Sequence, residues 1–226
     1  HLVKLKPEAQ DPALVAAALR DQHARFDRLA LELQTAALSM RILPLRSVFR
    51  RFPKLVREIA ASLGKTVKLV MEGEDTEADA AIVDALFEPL LHILRNAVDH
   101  GIESPDQRAA LDKPPIGTLT LRGRREAENI VIEIEDDGSG IDIDRVRAVA
   151  AERGVASIEA LAAMTEIEAA DLVFHAGFST SATVTDLSGR GVGMDSVRAT
   201  VERLGGRVSL QSQAVAGPKV ALVLPF

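Results

Sequence analysis

The sequence contains no cysteine, no tryptophan and no tyrosine. Without thiols there is neither a disulfide framework nor thiolate ligation of a metal, and a reducing cytoplasm is the expected address. The aromatic content rests on seven phenylalanines in 226 residues, so the core has to be aliphatic. No run approaches the roughly 18 uninterrupted apolar residues of a membrane span, and the first twenty residues lack the basic-then-apolar layout of a signal peptide. Membrane insertion is therefore not expected. A net charge of −6, from 27 Lys and Arg against 33 Asp and Glu, argues against the broad basic face with which nucleic-acid binders neutralise phosphates. What is present suits a folded chain: 47% hydrophobic and 27% charged residues, too apolar for disorder.

The N-terminal region reads as a long helix. Val15, Leu19, Gln22, Phe26, Leu29, Leu33, Ala36 and Met40 alternate by four and three, which makes a heptad seam. Asp11 caps this helix with Pro12 at its first position, and Pro44 ends it. A seam of that length requires a partner, so a homodimer or heterodimer through this helix is expected. A second helix, about Arg46 to Leu63, stops at Gly64, and the alternating run Thr66–Glu72 reads as a half-buried strand. The domain boundary is placed there, with a helical segment over 1–63 and the main domain over 64–226.

Within the main domain, Glu77 to Asp99 reads as a helix buried on most faces, bent or split by Pro89. Two strands, Thr118–Arg125 and Asn129–Glu135, form a hairpin across a short polar turn. The stretch from Ile143 to Phe174 divides into two or three short helices at Gly154 and Thr165, and Gly177 to Gly193 reads as a loop rich in Ser, Thr and Gly. A helix Asp195–Leu204 and two strands, Arg207–Gln213 and Lys219–Leu224, follow. Strands and helices that segregate in this way give an α+β fold, a two-layer sandwich with one sheet and its helices on one face.

Four short segments carry chemistry. In His92-Ile93-Leu94-Arg95-Asn96-Ala97-Val98-Asp99-His100, the residues His92, Asn96, Asp99 and His100 share one helical face. Such a stripe is either a helix-end polar network or the place where a ligand and a metal ion are held. In Glu135-Asp136-Asp137-Gly138-Ser139-Gly140-Ile141 a strand runs into a turn. That turn is either a plain acidic one or a site where Asp136 accepts from an exocyclic amine while Gly138 and Gly140 let a base approach. Gly189-Arg190-Gly191-Val192-Gly193-Met194-Asp195 opens a helix, and its backbone N–H groups suit phosphates. Polar loop precedes it rather than a strand, so it is not the dinucleotide fingerprint, and no Gly-Lys-Ser/Thr phosphate loop occurs. Phe174-His175-Ala176-Gly177-Phe178-Ser179-Thr180 by itself reads as loop.

In combination, an Asn-bearing helix, an Asp-Gly-x-Gly turn, a Phe-Ser-Thr segment and a glycine triplet follow the order of boxes in Bergerat-type ATPases. The wording "HILRNAVDHGIE", "IEDDGSGID", "FHAGFST" and "VTDLSGRGVGMDSV" resembles the CheA-like chemotaxis histidine kinases. The upstream run "MRILPLRSVFRRFPKLVREIAASLGKTVKLVMEGEDTEAD" is similar to their junction between dimerisation helices and kinase domain. The likeness covers roughly Leu33 to Arg203.

The resemblance implies a mixed sheet of the Bergerat type, ATP and Mg²⁺ as cofactors, and protein-histidine kinase activity. It implies that Asn96 holds Mg²⁺ against the nucleotide phosphates and that Asp136 binds the adenine amine. Gly138, Gly140 and Ile141 would floor the pocket, and Asp99, Ser179 and Thr180 would line it. Gly189, Arg190, Gly191, Val192, Gly193 and Met194 would contact the phosphates as an ATP lid, the 142–190 segment, closes. His92 stands where related kinases place a residue that polarises the attacking imidazole, and His100 reaches the γ-phosphate. The implied partners are a separate histidine phosphotransfer domain, a response regulator downstream and a chemoreceptor-array coupling protein.

The sequence also departs from that pattern. One heptad helix stands where relatives have a hairpin of two. Gly217 is not followed by the threonine usual before the last strand, and Ser181-Ala182-Thr183 replaces residues that are commonly acidic. His23 lacks the flanking residues of a phosphoacceptor and reads as a solvated helix residue. These departures support an alternative reading, a nucleotide-binding but catalytically weak scaffold in a signalling array.

Overall fold

The computed structural model describes residues 19–31, 41–175, 178, 193–213 and 217–226. Its contacts divide the chain into two units, His1–Ile42 and Leu43–Phe226. Of the first unit, residues 19–31 form a helix, α1, with exposed side chains throughout. Leu19, Phe26 and Leu29, three positions of the heptad seam, are more than half exposed at 65%, 71% and 58%. The seam residues Val15, Leu33, Ala36 and Met40 lie outside the described residues.

Strand β1 (Ile42–Pro44) stands where the sequence places only the end of the long helix. Helices α2 (Arg46–Phe49) and α3 (Phe52–Ser62) replace the single second helix, and Pro53 in the first turn of α3 marks the restart. Their apolar faces put Val48, Phe49, Phe52, Val56 and Ala60 into the main core. This burial ties α3 to the larger unit, so the division falls at 42/43, before α2, and not at 63/64 after α3. Amphipathic periodicity alone does not say which neighbour a helix buries its stripe against.

The larger unit carries a five-stranded mixed sheet in the order β2-β4-β5-β7-β6. Strand β2 (Val67–Glu72) pairs in parallel with β4 (Gly117–Glu126). The pairs of β4 with β5 (Asn129–Asp136), of β5 with β7 (Gly217–Pro225) and of β7 with β6 (Arg207–Gln213) are antiparallel. One face of the sheet, with Leu119, Leu121, Ile130, Ile132, Ile134, Leu222 and Leu224, packs into the aliphatic core. The opposite face is polar, and Glu133, only 5% exposed, lies there. It bridges to Lys219 at 2.5 Å, to Arg124, and to Arg122 at 3.6 Å. This one-sided arrangement is the expected α+β sandwich.

The predicted Glu77–Asp99 helix is in four pieces. Strand β3 (Glu77–Asp79) pairs with β1, and the Asp79 side chain then caps α4 (Ala80–Ala85) by accepting from the Ala81 N–H at 2.8 Å. Helix α5 (Phe87–Asn96) restarts after Leu86 with Pro89 in its first turn. Proline has no N–H to offer the carbonyl four residues back, so the break precedes it. A π-helical turn, Ala97–Gly101, then replaces the last stretch of α-helix.

Helix α6 (Pro105–Ala110), opened by a Ser104–Gln107 capping box, was not anticipated. The β4–β5 hairpin turns on Ala127 and Glu128, with Ala127 at φ 51°. Helices α7 (Ile143–Glu152), α8 (Ile158–Ala163) and α9 (Glu166–Asp171) and a 3₁₀ turn, Leu172–Phe174, break at Gly154 and Thr165 as expected. They gather a small second core of Val146, Ala150, Leu161, Leu172 and Phe178. Helix α10 (Met194–Arg203) buries Val197 and Val201 in the main core.

Candidate functional site

Strand β5 ends on Asp136, and three glycine backbones converge on it. A Cβ on Gly101, the last residue of the π-turn, would stand 2.9 Å from the Asp136 Oδ1. One on Gly138 would stand 2.0 Å from the Gly101 carbonyl oxygen, and one on Gly217, at the start of β7, would stand 2.0 Å from the Asp136 carbonyl oxygen. Side chains at Gly138 and Gly217 would overlap backbone atoms, so glycine is required at both, and one at Gly101 would press on the Asp136 carboxyl itself. Gly138 thus serves the approach of Gly101 as well as any approach of a ligand, and Gly140, at φ 79°, turns the chain beyond it. Ile141, half-buried, packs against both cores.

The Asp136 carboxyl is 4% exposed and accepts from the Gly138 N–H at 3.0 Å. Burial pushes it up to about 7, with a smaller push from Asp137 and Glu103 and a counter-pull from the Gly138 N–H and Lys113. Among the described residues no cation bonds it, and a carboxyl this deeply buried is costly in its charged form unless a donor arrives.

The neighbouring Asp137 is fully engaged. Its Oδ1 accepts from the Thr118 N–H at 2.9 Å and from Arg108 at 3.0 Å, and its Oδ2 accepts from Arg108 at 3.0 Å. Arg108, 1% exposed, also donates to Glu103 at 2.9 Å and to the Pro114 carbonyl at 2.6 Å. Lys113 donates to Glu103 at 2.6 Å and to the carbonyls of Asp137 and Gly138 at 2.9 Å each. Burial works to raise the Glu103 carboxyl, but Lys113 and Arg108 together hold it below the usual carboxylate range.

On α5, the amide nitrogen of Asn96 lies 3.1 Å from Nε2 of His92, with both side chains half-buried. Burial, helped by Arg95, lowers the His92 imidazole against an upward pull from Asp195, so the ring is neutral near pH 7. That pull comes from the N-terminus of α10, where Asp195 accepts from the Ser196 N–H at 2.8 Å. Gly193 caps α10 in an extended conformation and Met194 begins it, packed against the main core.

The π-turn shifts Asp99 and His100 off the strict 3.6-residue stripe that their spacing predicts. Both are exposed, with 3.7 Å between Asp99 Oδ2 and His100 Nε2. They border a cavity of ≈ 480 Å³ shared with Lys65, Gly101, Glu103 and Ser139. Lys65 donates to the carbonyls of Val98 and Asp99 at 2.8 and 2.7 Å, which satisfies the end of the π-turn.

The fold therefore brings Asp136, Gly138, Gly140 and Ile141 to the same side of the sheet as the π-turn, and His92 and Asn96 to the start of α10. The predicted residues Ser179, Thr180, Gly189, Arg190, Gly191 and Val192 lie outside the described residues. Among the described residues no group of three His, Cys, Asp or Glu side chains is arranged to hold a metal ion, and no helix is long and apolar enough to cross a membrane. Gly101, Arg108 and Lys113 were not singled out from the sequence. A lone glycine after a helix and a basic pair in a polar stretch carry no distinguishing pattern.

Residues 84–226 match the family of histidine kinase-, DNA gyrase B- and HSP90-like ATPases. The chain is 44% identical over 207 residues to the chemotaxis protein CheA of Treponema pallidum, covering 92% of this chain and 25% of that protein. It is 44% identical over 205 residues to the chemotaxis protein CheA of Halobacterium salinarum, covering 91% and 31%. The chain thus spans about a quarter to a third of the length of these relatives. Among solved structures, the histidine kinase domain of the Erythrobacter litoralis EL346 blue-light activated histidine kinase aligns with TM-score 0.47 and 16% identity, covering 81% of this chain and 61% of that one.

Proposed function

The chain belongs to the family of histidine kinase-, DNA gyrase B- and HSP90-like ATPases, and from that premise we propose that it is the ATP-binding catalytic core of a chemotaxis-type protein-histidine kinase. The observation that carries the reading is the buried Asp136 carboxyl set among Gly101, Gly138 and Gly217. The exocyclic amine of a flat base supplies a donor to this carboxyl, which the close-packed backbones of the three glycines hold in place. Similarity to two CheA proteins favours a kinase over the other activities in the family name.

Adenine is accepted at Asp136, with Gly138, Gly140 and Ile141 beneath it. The nitrogen end of the Asn96 amide faces His92, which keeps its oxygen end for a cation. Asn96, whose amide oxygen is left over by that contact, would hold Mg²⁺ here. When bound, the ion neutralises phosphate charge. Gly193 and Met194 offer the α10 N-terminus to the phosphates, and Asp99 and His100 border the γ-phosphate end. Ser179, Thr180, Gly189, Arg190, Gly191 and Val192 complete this site in the lid. His92, neutral beside Asn96, orients and polarises the incoming imidazole. The phosphoacceptor is a histidine on a separate phosphotransfer domain, which feeds an aspartate of a response regulator. The protein works in the cytoplasm at a receptor array with a coupling protein, and the α1 seam serves a dimer.

Gly217 is followed by Pro218 and not by threonine, which favours a second reading, a scaffold that binds nucleotide but transfers phosphate poorly. Calorimetric titration with ATP and Mg²⁺ tests the first step on the native chain, Asp136→Asn and Asn96→Ala. Loss of binding in Asp136→Asn and loss of Mg²⁺ dependence in Asn96→Ala are expected. Acid-labile labelling of added phosphotransfer domains then separates kinase from scaffold, and a folded native chain that ignores millimolar ATP sinks both.

A further inference from the structure

We propose that Arg108 and Lys113 are positioning residues that set nucleotide selectivity by fixing the Asp136–Gly138 turn, an inference that rests on the adenine-binding reading of Asp136. Neither residue bonds the Asp136 carboxyl directly. They act on the backbone that carries the carboxyl.

The bonds form an unbroken chain. Arg108 grips both carboxylate oxygens of Asp137, and Lys113 holds the carbonyls of Asp137 and Gly138. The Gly138 N–H in turn donates to Asp136 Oδ1. Every residue of the turn is thereby tied to the 103–114 segment, and the capping box of α6 fixes where that segment presents Arg108. Lys113 bonds the carbonyls of two successive peptide units of the turn, which charge balance with Glu103 and Asp137 alone would not require.

The charges point the same way. Arg108 and Lys113 are matched by Glu103 and Asp137, and all three Lys113 donors have acceptors. The clamp is neutral as a whole and spends its donors on Asp137, Glu103 and carbonyls. Among the described residues no cation bonds Asp136, next in the chain, which so keeps an acceptor for an amine. Adenine offers that amine where guanine presents a carbonyl oxygen, which an ionised carboxylate repels. Holding the carboxyl in place is therefore a selectivity device: a donor-reading site rejects a ligand lacking the donor only as well as its acceptor is fixed.

The test is calorimetric titration of the whole chain with Mg²⁺-ATP and with Mg²⁺-GTP, alongside thermal melts. The native chain prefers ATP. In Lys113→Gln and in Arg108→Lys, which keeps the charge but loses the fork, the preference for ATP over GTP, read as the ratio of the two dissociation constants, falls about tenfold towards unity. A merely structural role lowers the active fraction for both nucleotides alike and leaves the ratio unchanged, and that outcome in folded variants overturns the proposal. If Arg108→Lys does not fold, Lys113→Gln, whose native side chain is 30% exposed, decides the matter. A native chain that binds neither nucleotide instead removes the adenine reading on which this inference stands.

Discussion

Gly217 approaches Asp136 so closely that a methyl group placed on it would stand 2.0 Å from the Asp136 carbonyl oxygen, and its φ of 72° lies in the left-handed region. The first residue of β7 therefore sets how near the end of β5 that strand can come. Both the pairing of these strands and the seat of the Asp136 carboxyl depend on it.

Gly217→Ala should destabilise the protein by about 2–4 kcal/mol, since it adds overlap with fixed backbone to the cost of a positive φ. Gly154→Ala, at φ 67° with nothing within 4 Å of its added Cβ, should cost only about 1 kcal/mol. Urea unfolding of the two variants side by side checks the difference, and equal losses would contradict the close approach.

Asp136 makes stability depend on pH in a direction opposite to most carboxylates. Its value of about 7 in the fold stands above the ordinary 3.8, so between these values the folded chain holds a proton that the unfolded chain has released. Its contribution is therefore present in full at acid pH below the ordinary value and lost as pH rises through 7. Relative to the native chain, Asp136→Asn should gain about 4 kcal/mol on going from pH 4 to pH 8. Urea midpoints across that range read it out, and parallel curves for the two proteins would refute it.

If adenine binds the ionised carboxylate, ATP binding near pH 7 expels a proton from the half of the molecules that carry one. Calorimetry at pH 7 in buffers of different ionisation enthalpy should report release of about half a proton per nucleotide, and none in Asp136→Asn where residual binding allows the comparison.

Glu133 gathers Arg122, Arg124 and Lys219 on the open face of the sheet while 5% exposed. Removing it leaves three crowded cations without their shared anion, so Glu133→Ala should cost about 1–3 kcal/mol. Burial works to raise this carboxyl, yet Arg124 and Lys219 hold it below its usual range. Its contribution is therefore present above the ordinary carboxylate value and lost as pH falls through the lowered one. Glu133→Gln should flatten the acid limb of the unfolding curve.

Lys65 bonds the last carbonyls of the π-turn at Val98 and Asp99. Lys65→Met should leave the global fold intact and cost about 1 kcal/mol locally. Hydrogen exchange at the Ile102 amide, which closes the turn on the Ala97 carbonyl at 2.8 Å, should quicken about fivefold. Unchanged exchange there would mean that the turn holds itself.

Much of the fold and part of the site are legible in the sequence. The alternation of Thr66–Glu72 and of the two hairpin strands gives β2, β4 and β5 directly, because side chains alternate between faces whatever the sheet order. Gly154 and Thr165 mark breaks for local reasons, a left-handed residue and an N-cap. Asp136 and Asn96 stand out because their short motifs occur in a fixed order. Other features depend on distant partners. The π-turn at Ala97–Gly101, the allegiance of α3 to the larger unit and the parallel pairing of β2 with β4 follow from packing between residues far apart in the chain. Arg108 reads as one more surface cation until Asp137 and Glu103 close on it at 3.0 and 2.9 Å. Local pattern determined the main strands and helix breaks and which residue types could meet a nucleotide. Tertiary contact alone decided their seating, because burial, which raises Asp136 and pairs Arg108, is a property of the assembled core and of no single stretch of chain.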